Sequence, residues 1–175
     1  SNMFITPLSI TEYIAAQMIS SVVKSLIILL IVSIISLIFF NFNIFQLGFI
    51  NLLLFFSNLI LFAWSIGIFV LAIIFRYGTR IQALAWGFIF IFQPLTATFY
   101  PVSILPPFLQ KISYALPPTY VFEAARQTLE TGTIQWDMAL IALLLNSIYF
   151  IFSVWFFAIL FHKSRQTGQF ARNEN

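Results

Sequence analysis

The side chains best suited to specific chemistry in this sequence lie in a proline-rich stretch, "PVSILPPFLQKISYALPPTYVFEAAR", at residues 101–126. Within it, Glu123 and Arg126 are three residues apart, so on a helix they share a face and can form an ion pair. Such a pair contributes about 0.2–0.5 kcal/mol when exposed. Breaking a fully buried pair costs about 3–5 kcal/mol. The two residues therefore form either an exposed ion pair of little energetic weight or a buried structural contact, and their burial decides between these.

Catalytic, cofactor-binding and metal-binding residues are not predicted anywhere in the chain. His162 stands beside Lys163 without a second metal ligand nearby in the sequence, Asp137 has no partner acid, and cysteine is absent. No glycine is placed for a phosphate-binding loop, so the chain is not expected to hydrolyse ATP itself. A membrane-embedded enzyme is accordingly a weak hypothesis.

Composition indicates a protein that resides in lipid. The sequence is 61% hydrophobic and 7% charged, whereas a soluble domain carries about 25% charged residues to cover its surface. No charged residue lies between Lys24 and Arg76, or between Arg80 and Lys111. Apolar runs of roughly 20 residues match a hydrocarbon core about 30 Å thick. The net charge of +3 belongs to the loops and does not indicate nucleic-acid binding.

The predicted fold class is an all-α integral membrane protein, because lipid offers backbone groups no partners outside the helix. One transmembrane domain over 1–175 has these predicted parts: a cytoplasmic amphipathic entry helix at 6–24, spans at about 22–40, 49–75, 81–100 and 136–161, two short external or re-entrant helices at about 106–116 and 119–131, and a cytoplasmic tail at 162–175. Pro94 predicts a bend in the third span.

Lysine and arginine near the span ends give the direction of the spans. One side carries two, and the other carries six: Lys24, Arg76, Arg80, Lys163, Arg165 and Arg172. The richer side is cytoplasmic, so both termini are predicted inside and the proline-rich stretch outside. There, Pro117-Pro118 should end one short helix and begin another. The two helices should lie beyond the plane of the spans or dip into it. An ordinary interfacial loop is the alternative.

Three polar residues fall within predicted spans: Asn58, Gln93 and Asn146. Ionisable residues at that depth are absent, which argues against a proton-driven or sodium-driven carrier. The three polar side chains either join helices, at about 0.6 kcal/mol per hydrogen bond, or contact a transported molecule. Helix packing is the favoured interpretation.

Two segments mark the predicted cytoplasmic side. In "TPLSITEY" at 6–13, Ser9 and Glu12 have capping-box spacing, which predicts a helix start. "RYGTR" at 76–80 is a short basic turn. Taken alone, the first is a simple interfacial entry helix and the second only fixes topology.

These segments together resemble the type-2 permease family of ATP-binding-cassette (ABC) exporters. The resemblance rests on "TPLSITEY", "RYGTRIQALAW" and "YPVSILPPFLQKISYALPPTYVFEAAR" and covers nearly the whole chain. It implies a membrane subunit that forms the translocation path, with the external helices as its outer gate. The residues that match the family pattern there are Pro101, Leu105, Pro106, Pro117, Tyr120, Glu123 and Arg126.

The same resemblance implies partners and a location. A separate ABC ATPase would bind ATP and magnesium, a second permease copy would complete a dimer, and both would meet in the cell membrane, surrounded by lipid. The residues implied in ATPase coupling are Thr6, Pro7, Ser9, Glu12, Tyr13, Arg76 and Arg80. Family members have six spans and this chain has the last four, so it resembles either a C-terminal fragment of such a permease or a truncated reading frame. A membrane assembly or scaffold protein that keeps the fold without transporting is the alternative function.

Overall fold

The described residues, 10–77 and 82–166 of a computed structural model, form α-helices and two short 3-10 helices without a strand. This confirms the prediction of an all-α membrane protein. The helices are α1 (Ile10–Phe40), α2 (Phe49–Tyr77), α3 (Gln82–Leu95), α4 (Pro107–Ser113), α5 (Pro117–Thr131) and α6 (Trp136–Gln166), with 3-10 turns at Ile44–Leu47 and Val102–Ile104. Residues up to Gln46 make one compact unit, and Leu47 onward makes another.

Three helices are long and apolar enough to cross a bilayer. Their apolar portions are Glu12–Phe40, Phe49–Ile74 and Trp136–His162, with 29, 26 and 27 residues. At a rise of 1.5 Å per residue each reaches about 39–44 Å, which exceeds a hydrocarbon core of about 30 Å. The spans predicted at 22–40, 49–75 and 136–161 lie within these helices. In α1, the described part of the entry helix continues into the span without a break.

The helix at the third predicted span, α3, is shorter than expected. Within the described residues, α3 has 14 residues, or about 21 Å, and it ends at Leu95 rather than near Tyr100. Pro94 lies in its last turn, so the proline marks the helix end instead of a bend in mid-span. Beyond it, Ala97 adopts a positive φ of 52°, which ends the helical path. A fourth crossing therefore stays a prediction.

The two short helices also have different bounds from the predicted ones. α4 ends at Ser113, because Leu116 donates to the Ser113 carbonyl in a turn and Pro117 has no amide to continue the helix. The proline pair does not precede α5 but occupies its first two positions, where no amide partner is needed. Gly132, at φ 70°, ends α5 with its amide on the Thr128 carbonyl.

α2 and α6 pack side by side and run in the same direction. Their contacts advance together along both helices: Asn146 Nδ2 donates to Asn58 O at 2.9 Å, the Phe62 and Tyr149 rings meet at 5.9 Å, and Phe69 stacks on Phe156 at 4.8 Å. Antiparallel helices would pair these residues in the opposite order. This parallel pair is the frame on which α5 rests.

Small and polar residues line the buried faces of this pair. On α2 they recur every seven residues, at Asn51, Asn58, Ser65 and Ala72, each at most 4% exposed. On α6 the buried set is Ala139, Ala142, Asn146 and Ser153. Small side chains let the two backbones approach closely. The resulting van der Waals packing stabilises helix association in lipid, where no hydrophobic driving force acts between helices. Packing of these small residues therefore stabilises the frame.

We predict that Ala142→Leu loosens the frame, because Ala142 is fully buried and added methyl groups in a packed interface cost about 1–3 kcal/mol. Unfolding of the purified chain in mixed detergent micelles measures the loss. Ala158→Leu, at an exposed position on the same helix, is the control and should stay within about 0.5 kcal/mol of the native chain. Equal stability of the two variants would contradict the packing described here.

Candidate functional site

Glu123 and Arg126 do form an ion pair, and each also holds one backbone group from the segment between α3 and α4. Glu123 Oε1 accepts from Arg126 Nη2 at 3.0 Å and from the Val102 amide at 2.8 Å. Arg126 Nη2 also donates to the Ala97 carbonyl at 2.8 Å. The Glu123 and Arg126 side chains are 15% and 27% exposed. We call these four residues the α5 clamp.

Arg126 lies where the end of α3 favours a positive charge. The last carbonyls of a helix lack intrahelical partners and carry the negative end of its dipole. Local donors satisfy two of them, since Thr96 Oγ1 donates to Phe92 O at 2.8 Å and the Tyr100 hydroxyl donates to Pro94 O at 2.7 Å. Arg126 then holds the next turn through Ala97, which is fully buried.

The connection between α4 and α5 reaches deep along α6. The Tyr149 hydroxyl donates to the Ala115 carbonyl at 3.2 Å, and Tyr149 lies 13 residues after Trp136 at the start of α6. That separation corresponds to about 20 Å of helix. The hairpin of α4 and α5 therefore dips alongside α6, well past the start of that helix. Its position relative to the plane of the spans, beyond it or dipping into it, stays a prediction.

Polar contacts fix the tip of this dipping hairpin. Thr119 Oγ1 donates to the Ser113 carbonyl at 2.6 Å, and both residues are fully buried. Tyr120 lies beside Tyr114, with ring centroids 5.7 Å apart. The pKa of Tyr120 is raised, first by burial and then by Tyr114.

An open apolar groove of about 600 Å³ lies beneath the start of α5. One wall is the face of α2 from Leu59 to Ile74, about 22 Å long by helical rise. The other lining residues come from the end of α3 and the start of α5: Phe92, Gln93, Thr96, Thr98, Pro118 and Phe122. Phe62 and Phe92 meet edge to face at 5.6 Å, which places this polar end of the groove near the Leu59 end of the α2 wall.

The three polar residues predicted in the spans separate into two kinds. Asn146 donates to both the backbone and side-chain oxygens of Asn58, at 2.9 and 3.0 Å, and both residues are buried. They join α2 to α6, as the packing interpretation expects. Gln93 instead lines the groove, and its side-chain amide makes no hydrogen bond to any residue that the structure describes.

The other predicted site residues take more peripheral places. Pro101 and Pro106 are exposed next to short helices, and Leu105 is half-buried between them. Of the residues implied in ATPase coupling, Glu12 and Tyr13 are exposed in the first turns of α1, and Arg76 lies in the last turn of α2. Those that fall outside the described residues are Thr6, Pro7, Ser9 and Arg80.

Comparison with known families decides the identity of the fold. The family model for the ABC-2 type transporter matches residues 2–129 of the 175, which include α1 to α4 and most of α5. The chain belongs to the ABC-2 type transporter family. No characterised protein and no solved structure shows significant similarity to it. This ABC-2 chain is thus a membrane component of a transporter, with several apolar helices, and not an enzyme itself.

Two features of the ABC-2 site escaped the sequence-based prediction. The partners of the clamp, Ala97 and Val102, are ordinary apolar residues, and nothing in their type marks them. Gly67 in the middle of α2 is the second, because glycine in a helix interior costs about 1 kcal/mol relative to alanine. It lines the groove, and an added Cβ there would meet no atom within 4 Å.

We predict that Glu123→Gln and Arg126→Gln in this ABC-2 chain each free the segment between α3 and α4, because a charge-assisted bond to the backbone of a buried residue is lost. Exchange of the Val102 amide should accelerate roughly 5- to 150-fold, for a loss of about 1–3 kcal/mol. Hydrogen–deuterium exchange measures this. Glu130→Gln, exposed on the same helix, is the control and should leave exchange unchanged.

The charge-swapped double variant sharpens this test. It keeps opposite charges but sets a carboxylate against the Ala97 carbonyl and a guanidinium against the Val102 amide. Exchange should therefore remain fast. Native protection in the swapped variant would mean that only the pair itself matters, and that the clamp geometry does not.

Proposed function

We propose that the chain is the permease subunit of an ABC exporter, in which the groove is part of the translocation path and α5 is its outer lid. The observation that carries this proposal is the position of α5. The clamp fixes the helix to the end of α3, while its first residues, Pro118 and Phe122, line the groove. The hydrogen bonds of the clamp join two segments of the chain, so they can hold such a lid in one position.

The direction of the helices supports this assignment of inside and outside. The lysine and arginine counts predict that α2 and α6 both run from the outer to the inner side. Parallel packing of these two helices agrees with that prediction. Both termini are accordingly proposed to be cytoplasmic in the cell membrane, and the clamp lies toward the outer side.

Energy for transport is proposed to come from a separate ATPase subunit that binds ATP and magnesium. Two separate contacts are proposed: the start of α1, with exposed Glu12 and Tyr13, and the basic turn at 76–80. When the ATPase closes, it would push on these elements and displace α2 and α6 relative to α3. The lid opens when α5 moves and the clamp releases Ala97 and Val102.

A second permease copy is proposed to complete the path. The groove is open along one side, and its walls within the described residues come from only α2, α3 and α5. A closed path for a polar or apolar molecule needs a further wall. A second copy can provide it by symmetry, as in most soluble and membrane homodimers.

We predict that Glu12→Cys forms a disulfide with a cysteine placed in the partner ATPase, because both would lie at one cytoplasmic interface. The chain has no cysteine of its own, so the cross-link is specific. Ser103→Cys, at an exposed position between α3 and α4, is the control and should not cross-link. It should react with an impermeant thiol reagent added outside intact cells, and Glu12→Cys should not. The reverse labelling pattern would contradict the orientation and the coupling surface together.

A further inference from the structure

We propose that the groove binds an elongated hydrocarbon chain whose polar end is uncharged and forms hydrogen bonds, such as a hydroxyl or a carbonyl group. This rests on the proposed function, because it names the class of substrate for that same path. The groove has an apolar length and a polar end, and no charged residue is among its described lining residues. A charged headgroup would be desolvated there without a counter-ion, at a cost that membrane interiors avoid.

The groove volume can hold a hydrocarbon chain along the whole α2 wall. A chain about 4 Å wide, the contact separation of carbon atoms, occupies roughly 300 Å³ over about 22 Å. The groove volume is about 600 Å³, so the chain fits together with its headgroup.

Gly67 lines the groove without a side chain. It lies on the α2 wall between Ile66 and Ile74, where the lining is wholly apolar. Because its missing Cβ would meet open space, glycine is not required there for close helix packing or for an unusual backbone. What it provides is volume on the wall, in the part of the groove that would hold the chain.

Gln93 and a threonine pair form the polar end. Thr96 and Thr98 bond to each other through their hydroxyls at 2.9 Å, and Thr96 also donates to the Phe92 carbonyl. Of these three residues, only Gln93 has a side-chain amide. Neither the donor nor the acceptor of that amide makes a hydrogen bond to the described residues. A primary amide serves a hydroxyl or a carbonyl equally well, because it both donates and accepts. It offers no charge to an ionised headgroup.

Photolabelling of the full chain in native-like membranes tests this proposal with two probes. One is a long-chain primary alcohol with a diazirine in its tail, and the other has the same tail on a trimethylammonium headgroup. We expect the alcohol to label α2 between Ile66 and Ile74, with about tenfold preference over the cationic probe. Mass spectrometry of the digested chain locates the label.

Two glycine variants make the test specific. Gly67→Leu should reduce labelling about tenfold, since filling the groove costs at least about 1.4 kcal/mol. Gly87→Leu is the matched control, because Gly87 also has open space at its Cβ but is not among the groove's lining residues, and labelling should be unchanged. Gln93→Leu should lower labelling by the alcohol about fivefold, for one lost hydrogen bond, and leave the cationic probe unaffected.

Two outcomes would overturn the inference. Equal labelling of native chain and Gly67→Leu, or equal labelling by both probes, would mean that the probes only solvate the surface of α2. If labelling fails while Glu12→Cys still cross-links to the ATPase, only the substrate class is wrong. If labelling succeeds and that cross-link fails, the groove chemistry stands and the proposed function is wrong.

Discussion

A carboxylate and a guanidinium that leave water must recover their hydration from each other and from neighbouring polar groups. Glu123 and Arg126 do so in part with the Val102 amide and the Ala97 carbonyl, which lie on another segment of the chain, while Arg126 Nε has no hydrogen-bond partner among the described residues. Half-burial makes each bond stronger than it would be at an exposed surface, and losing one partner leaves a backbone group unsatisfied. These bonds tie α5 to the segment between α3 and α4, in addition to its packing against α2 and α6.

The clamp can act only if its surroundings are rigid, and the α2–α6 pair provides that rigidity. Small residues bring the two backbones close, and the Asn58–Asn146 bonds fix their register. α5 rests against this pair, and Tyr149 of α6 bonds to the Ala115 carbonyl before α5 begins. α5 thus has two attachments: its tip on α6, and its middle on the segment after α3. In the proposed mechanism, release of the clamp would let α5 swing about its tip while α2 and α6 stay packed.

Much of the fold follows from local rules that a reader can apply to the sequence. Apolar length predicts α1, α2 and α6, and the proline pair predicts a helix boundary near residue 117. The spacing of Glu123 and Arg126 predicts an ion pair, and the structure contains one. Resemblance to ABC exporters, carried by three short segments, agrees with the family match over residues 2–129.

Features that depend on distant contacts were not predictable in this way. Val102 and Ala97 lie 21 and 29 residues from their clamp partners, so no local pattern reports them. Pro94 predicts an interruption of α3, but nothing in the composition shows that the helix ends at Leu95 and turns at Ala97. By contrast, the seven-residue repeat at Asn51, Asn58 and Ser65 is visible in the sequence.

The central claim is that the clamp keeps α5 closed over the outer end of the groove, and the reactivity of one groove position tests it directly. Gly67→Cys is to be treated with an impermeant thiol reagent from the outer side, in the native background and with Glu123→Gln. Exposed Ser103→Cys shows that the reagent is active. The account predicts no reaction at position 67 in the native background and clear reaction once the clamp is broken. Equal reaction from the outer side in both backgrounds would contradict it.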